Sequence, residues 1–384
     1  MANEAPGGTP HTGATRVHLV YPHGDRISTP DAIGRELGRR LEAAYAVVYH
    51  DWDEREAIVP EPGDVLLGHP HPNPNTVFRL SVKLDGWERR LMMLPFSHRD
   101  LRWVAFTKSI VPKCDLFLAI TGPYWFRTVG ESRCSHWAPK MIHLDLAIDR
   151  KNYPPLKTSF GVPGKRRVVY IGHTVGYKNT SYLSEIAALV PEAEFAWIGN
   201  GTRTIPGLTP LGQVEFDSPA GRVVVSQFDF MLTVGTADPN PTTILEAMAW
   251  GLIPICTPSS GYEGIRGIPN VPLDDAPAAA AILRRLLHAD EAELVKMQSE
   301  NWQKLDEHYT WDRFAAQVVG AIESTDSPPL LRESLGRRLE FTFYDLTSPF
   351  GRAGRLASKV NRRWRRLRDT RTRKNGDTRT AKSG

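Results

Sequence analysis

Short apolar, β-branched runs and helix-period segments take turns along this chain, and no other feature narrows its fold so far. "RVHLVY" gives way to "TPDAIGRELGRRLEAA", then to "AVVYH", "GDVLLGH" and "RRLMMLP", and later to "CDLFLAI" and "KMIHLDLAI". Such alternation is the signature of βαβ units and a parallel sheet. In the first helical segment Thr29 is the expected cap, with Pro30 at the first helical position and Ile33, Leu37 and Leu41 one turn apart. Residues 151–166, rich in Pro, Lys and Gly, read as a linker. The alternation then restarts with "RVVYIG", "SYLSEIAALV", "EFAWIG", "FDFMLTV", "TTILEAMAW" and "LIPICT".

The expected organisation is therefore a disordered leader at 1–15, an N-terminal α/β domain at 16–150, the linker, a C-terminal α/β domain at 167–325 and a separate tail at 326–384. A chain of 384 residues with 41% apolar side chains is long enough to bury two such cores. The leader has no signal-peptide apolar core and no apolar run is of spanning length, so a cytoplasmic protein is expected. Three cysteines, Cys114, Cys134 and Cys256, stand far apart without a CxxC pair, which suggests buried thiols.

Charge is unevenly spread. Residues 351–384 carry 13 Lys/Arg against 2 Asp/Glu, whereas the first 350 hold 35 basic and 41 acidic groups, a net of −6. Any partner argument from basicity thus belongs to the tail. There Leu356, Val360, Trp364 and Leu367 form one apolar stripe among arginines, the pattern of an interfacial helix on an anionic membrane surface. A disordered basic tail and attachment to nucleic acid are the competing readings; nucleic acid is not the expected partner.

The chemistry concentrates in "ADPNPTTILEAMAWGLIPICTP", where Asp238 and Glu246 stand eight positions apart, with seven residues between them, across the start of a helix. In an open α/β sheet, ligands sit beyond the carboxyl ends of the strands, where helix N-termini offer free N–H groups to anions. A carboxylate suits the paired hydroxyls of a ribose or hexose. Read locally, the same residues could equally be a loop or capping aspartate and a solvated glutamate.

This stretch resembles the retaining glycosyltransferases of family 4, whose acidic pair is two carboxylates separated by seven residues, followed by "LEAMA-x-G-x-P". Here the pattern is Asp238, Glu246 and "LEAMAWGLIP", then "SSGYEGI" with Gly261 and Glu263. The family more often has Glu where Asp238 stands. "VVYIGHTVGYKNT" is similar to the family's diphosphate-holding strand and loop, giving Gly172, His173 and Lys178, with His173 in place of the usual Arg; "FAWIGNG" resembles its nucleobase turn, giving Gly199 and Gly201. In the first half, "VYPHGD" supplies Gly24 beneath the diphosphate and "GDVLLGHPHPNPNT" supplies His69 at a strand end, with His71 as runner-up.

The resemblance implies the GT-B fold: two Rossmann-like parallel-sheet α/β domains facing a central cleft, here with a basic C-terminal appendage. It implies transfer of a sugar from a nucleotide diphosphate sugar to a hydroxyl acceptor, a glycan or a lipid-linked molecule, with retention of configuration. Asp238, Glu246 and His69 are the catalytic candidates; Gly24, Gly172, His173, Lys178, Gly199, Gly201, Thr242 and Glu246 are the donor-binding ones. No cofactor is expected beyond the nucleotide sugar as co-substrate, and no metal site is assigned, since "DWD" at Asp51–Asp53 is short enough to arise by chance. A sugar-nucleotide epimerase of the same fold and a catalytically idle membrane-surface scaffold are the alternatives.

Overall fold

A computed structural model of the chain describes residues 15–22, 28–99, 101–201 and 204–325. The leader, Gly24 and the basic tail with its apolar stripe lie outside the described residues.

The first half runs β1 (Arg16–Tyr21), α1 (Thr29–Leu41), β2 (Ala46–Asp51), β3 (Val65–Gly68), α2 (Val77–Ser81), β4 (Arg89–Pro95), α3 (Leu101–Thr107), β5 (Leu116–Ile120), α4 (Gly122–Thr128) and β6 (Met141–Leu144). Its strands form one parallel sheet in the order β2-β1-β3-β4-β5-β6. Both faces are covered, as a parallel sheet requires. Val17, Leu19 and Tyr21 share one apolar cluster with Ile33, Leu37 and Leu41 of α1, while Val20, Leu66, Met92 and Phe117 share another with Phe78 and Trp137.

The second half runs β7 (Arg167–Ile171), α5 (Thr180–Leu189), β8 (Glu194–Ile198), β9 (Thr209–Gly212), α6 (Pro219–Ser226), β10 (Phe230–Thr233), α7 (Thr242–Trp250) and β11 (Ile253–Cys256), followed by α8 (Ala276–Leu287), α9 (Glu291–Glu307) and α10 (Trp311–Glu323). The sheet order is β11-β10-β7-β8-β9, again all parallel. Strand order therefore reverses between β7 and β10, and a crevice opens there at the carboxyl ends.

Four details differ from the sequence expectation. Ser28, not Thr29, caps α1, its hydroxyl accepting from the Asp31 N–H at 3.4 Å; Pro30 falls in the first turn either way. "KMIHLDLAI" is a strand only as far as Leu144, because the next residues leave the sheet to meet the other half. The Leu146 N–H donates to Asn240 Oδ1 at 2.6 Å and that of Ile148 to the Tyr309 carbonyl at 3.2 Å. The short exposed edge strand β9, "TPLG", carried no apolar signal. The segment read as a linker is tied down: the N–H groups of Leu156 and Lys157 both donate to the Trp250 carbonyl at 2.9 Å, and Lys157 pairs with buried Asp229 at 2.8 Å.

The last helix crosses back. Trp311, Phe314 and Val318 of α10 join the cluster containing α1, and Arg40 bonds Asp312 at 2.6 Å. A boundary drawn at 167–325 assigns α10 to the second half by sequence, whereas its packing ties it to the first. That same cluster includes Leu146, Ala147 and Ile148 of the crossover and Ile244, Leu245 and Met248 of α7, so one apolar body spans the two halves. Among the described residues no helix is long and apolar enough to cross a membrane.

Candidate active site

The crevice is built from two loops. One follows β7 and carries Gly172, His173 and Lys178; the other follows β10 and carries Asp238. They are fastened together by the Thr236 N–H, which donates to the Tyr177 carbonyl at 2.8 Å. Across this junction Lys178 Nζ reaches Asp238 Oδ2 at 2.5 Å, and the two side chains keep only 13% and 11% of their exposure. Gly235 makes room for the pair, since a Cβ there would lie 2.8 Å from that of Asp238.

Beside it, the turns after β7 and β8 touch backbone to backbone. Gly172 and Gly199 have φ of 153° and 151°, and a Cβ on Gly199 would sit 2.2 Å from the Gly172 carbonyl oxygen. Glycine is therefore a packing requirement at this place. A Cβ on Gly201 would come within 2.4 Å of Thr174 Oγ1. His173 is exposed, with Nδ1 2.5 Å from Oδ1 of Asn200, between those two glycines. The Tyr170 hydroxyl fixes the backbone from below by donating to the His173 carbonyl at 2.7 Å.

The third wall is α7. Pro241 precedes it in extended conformation and Gly251, with φ 88°, ends it, so the helix is held to the nine residues Thr242–Trp250. The Thr242 hydroxyl meets that of Thr29, the first residue of α1, at 3.2 Å. The N-termini of α1 and α7 thus converge from opposite halves. One turn into α7, Glu246 lines a cavity of about 260 Å³ with Ser28, Thr29, Arg35, Tyr153 and Trp311. The Tyr153 hydroxyl donates to Glu246 Oε1 at 3.4 Å. Burial pushes the Glu246 carboxyl up to about 7, a rise that the Tyr153 bond only partly offsets.

The candidates of the second half are thus gathered around one crevice, in two groups. Lys178, Asp238, His173 and the glycines surround the switch point, while Thr242 and Glu246 face the cavity between the halves. The two carboxylates have separate partners. His69, in the first half, is buried just past β3, its N–H donating to the Val20 carbonyl at 2.8 Å and its ring edge-on between Tyr21 and Trp52. Burial lowers its imidazole to about 4, so it is neutral at physiological pH. His71 is partly buried against Trp52 and accepts from the Asn73 N–H at 3.0 Å. The Asp51–Asp53 pair is a turn closed by the Asp53 N–H on Asp51 Oδ1 at 3.3 Å, and the described residues contain no group of three side chains able to hold a metal.

Sequence reasoning passed over Tyr153, inside the stretch read as linker, and Asn240, whose φ of 52° and bond to Leu146 join α7 to the crossover. Asn240 did carry a signal, because asparagine tolerates the left-handed region and stands directly before a proline. Also missed was the clasp closing the cleft beyond Asp238. The Trp125 indole donates to the Ser259 carbonyl at 3.0 Å, Arg127 pairs with Glu263, and a Cβ on Gly122 would lie 2.1 Å from the Gly261 carbonyl oxygen.

No protein-family model matches the chain, and no curated protein does. Solved structures do match it. Sucrose-phosphate synthase from Thermosynechococcus elongatus is 14% identical, with a TM-score of 0.59 over 80% of this chain and 98% of that one. A glycosyltransferase from Rickettsia africae is 10% identical, with a TM-score of 0.58 over 82% and 100%. HepE of Anabaena, solved with UDP and glucose, is 12% identical, with a TM-score of 0.54 over 80% and 99%. At such identities the likeness speaks to architecture. Two parallel-sheet α/β halves enclosing a cleft, with the last helix returning to the first half, make this chain a GT-B fold.

Proposed function

We propose that the protein is a glycosyltransferase that moves a hexose-like sugar from a nucleotide diphosphate sugar to a hydroxyl acceptor, with retention of configuration. The observation that carries the reading is that Lys178 and Asp238 meet in the crevice at the switch point, while Thr242 at the start of α7 meets Thr29 at the start of α1 beside Glu246. Such a place suits a diphosphate whose two ends are read by hydroxyl-binding groups. The architecture shared with a glycosyltransferase and with a structure holding UDP and glucose points the same way.

In this reading the chain's work is electrostatic. As the anomeric C–O bond to the diphosphate breaks, negative charge grows on the leaving oxygens and the sugar gains oxocarbenium character. Lys178, the helix N-termini and the exposed His173 stabilise that charge. The acceptor hydroxyl attacks from the side of the leaving group and passes its proton to the departing phosphate, so no covalent nucleophile is required. Glu246 holds the donor ribose, Asp238 the sugar hydroxyls, and neutral His69 contributes polarity without charge on the acceptor side. Gly172, Gly199 and Gly201 keep the backbone open to the donor. Closure of the halves excludes water and limits donor hydrolysis. A glycan or lipid-linked acceptor, a cytoplasmic location and attachment of the tail to an anionic membrane belong to the same proposal.

The test is a thermal-shift and transfer screen against UDP, GDP and ADP and their glucose derivatives, run with Glu246→Ala. Selective stabilisation by one nucleotide family, abolished by the substitution, is the expected result. Absence of any shift, at ligand concentrations up to the millimolar range, would sink the donor reading.

A further inference from the structure

The Lys178–Asp238 pair has a consequence of its own, which rests on the donor reading above. The ammonium that would meet the diphosphate is occupied by a carboxylate of the same chain. Their contact is a single one at 2.5 Å: among the described residues Asp238 Oδ1 has no hydrogen-bond partner, and Lys178 Nζ, which also lies 5.6 Å from the centre of the Tyr177 ring, bonds only Asp238. The pair is held by loop geometry, with Thr236 fastened to Tyr177 and Gly235 leaving space beneath Asp238, so Asp238 reaches Lys178 without further anchoring. A longer side chain at 238 would carry its carboxylate past that position.

We propose that Asp238 is an internal counter-ion that the donor's diphosphate must displace from Lys178, and that this exchange sets the site's preference for a nucleotide sugar over the bare nucleoside diphosphate. The two ligands differ in what they return to Asp238. A nucleotide sugar that takes Lys178 brings hydroxyl groups for the displaced carboxylate to accept from. A nucleoside diphosphate takes Lys178 and leaves Asp238 close to a phosphate with nothing to bond, two like charges in a nearly buried crevice. The spent product is thus held less tightly than its phosphate contacts alone would dictate, and Asp238 helps to expel it. Asp238 is a specificity determinant in this scheme: it acts on the diphosphate through Lys178 and on the sugar directly.

The experiment is calorimetric titration of the full chain with UDP, GDP, ADP and their glucose derivatives, comparing wild type, Asp238→Asn, Lys178→Met and the double variant. Asparagine keeps the shape and removes the competing charge. The expected result is that Asp238→Asn binds the nucleoside diphosphate about tenfold tighter than wild type, while the nucleotide sugar gains less. The gain should vanish when Lys178→Met is added. A merely structural role for Asp238 would weaken both ligands together, and circular dichroism of each variant identifies any loss of fold. If wild type binds a nucleoside diphosphate and folded Asp238→Asn binds it equally or more weakly, the counter-ion proposal is wrong and the donor reading stands. If wild type binds none of the six ligands, both fall.

Discussion

Replacing Glu246 by glutamine gives the sharpest test of the cavity between the halves. Burial sets the native carboxyl at about 7 against an ordinary glutamate value of 4.5. The native state therefore holds this proton longer than the unfolded chain does. Its contribution to stability is full below about pH 4.5 and is lost as pH rises through 7. The difference between the two values is worth about 3 kcal/mol at 1.36 kcal/mol per decade. Access of solvent to the cavity reduces this to about 2 kcal/mol. Glutamine has the same outline and no proton to lose, so the variant should be as stable as wild type at pH 4.5 and more stable at pH 8.5. In thermal melts that gap corresponds to about 4 °C. Tyr153 must also be satisfied, and the glutamine oxygen can still accept from its hydroxyl. The assay is a pair of melting curves for each protein at the two pH values. An equal difference at both, or a variant that is less stable at pH 8.5, would refute the claim that Glu246 carries a desolvated carboxyl.

Three further predictions concern how the crevice is held. Arg166 is almost fully buried and its Nη1 donates to the carbonyls of Leu286, Leu287 and Ala289 at 3.0, 3.1 and 2.6 Å, closing the C-terminus of α8; Arg166→Ala should cost about 3 kcal/mol in urea unfolding. Gly199→Ala forces a Cβ against the Gly172 carbonyl at a φ of 151° and should cost about 3 kcal/mol, with nucleotide binding falling further than stability explains. Asn240→Ala removes the 2.6 Å bond that holds Leu146 of the crossover to the start of α7, and should raise the rate of proteolysis at 145–150 while leaving each sheet's amide protection intact.

Most of the architecture could be read in advance because it rests on local patterning. Strands buried on both faces appear as continuous apolar runs, and α1 shows its stripe of Ile33, Leu37 and Leu41 directly. Misreadings arose where tertiary contacts decide. β6 stops at Leu144 although "LAI" at 146–148 is apolar, because those residues are spent on the seam between the halves. The 151–166 stretch has a linker's composition and yet pairs with the end of α7, and α10 returns to α1, its Asp312 standing 272 positions beyond the Arg40 it meets. Nothing in the spacing of a helix announces which distant helix it will cover.

The site was legible to a different depth. Seven residues between Asp238 and Glu246 suggested one ligand read at both ends, and the physical meaning of the spacing is now clearer. Asp238 sits in a loop whose position follows from the end of β10, so its carboxylate is delivered to the sheet's crevice and to Lys178. Glu246 lies four positions beyond Thr242, and four residues at 100° each bring it back to the same face one turn further on, toward Tyr153 and the opposite half. The same short segment therefore places one carboxylate beside Lys178 in the crevice and the other in a pocket that the two halves line together. The first is set by a single loop, the second by the seam. That division explains why a pattern within one stretch of sequence could identify both residues but not their partners. Lys178 lies 60 positions upstream and Tyr153 93 positions upstream, and both are brought in by the order of strands rather than by anything near them in the text.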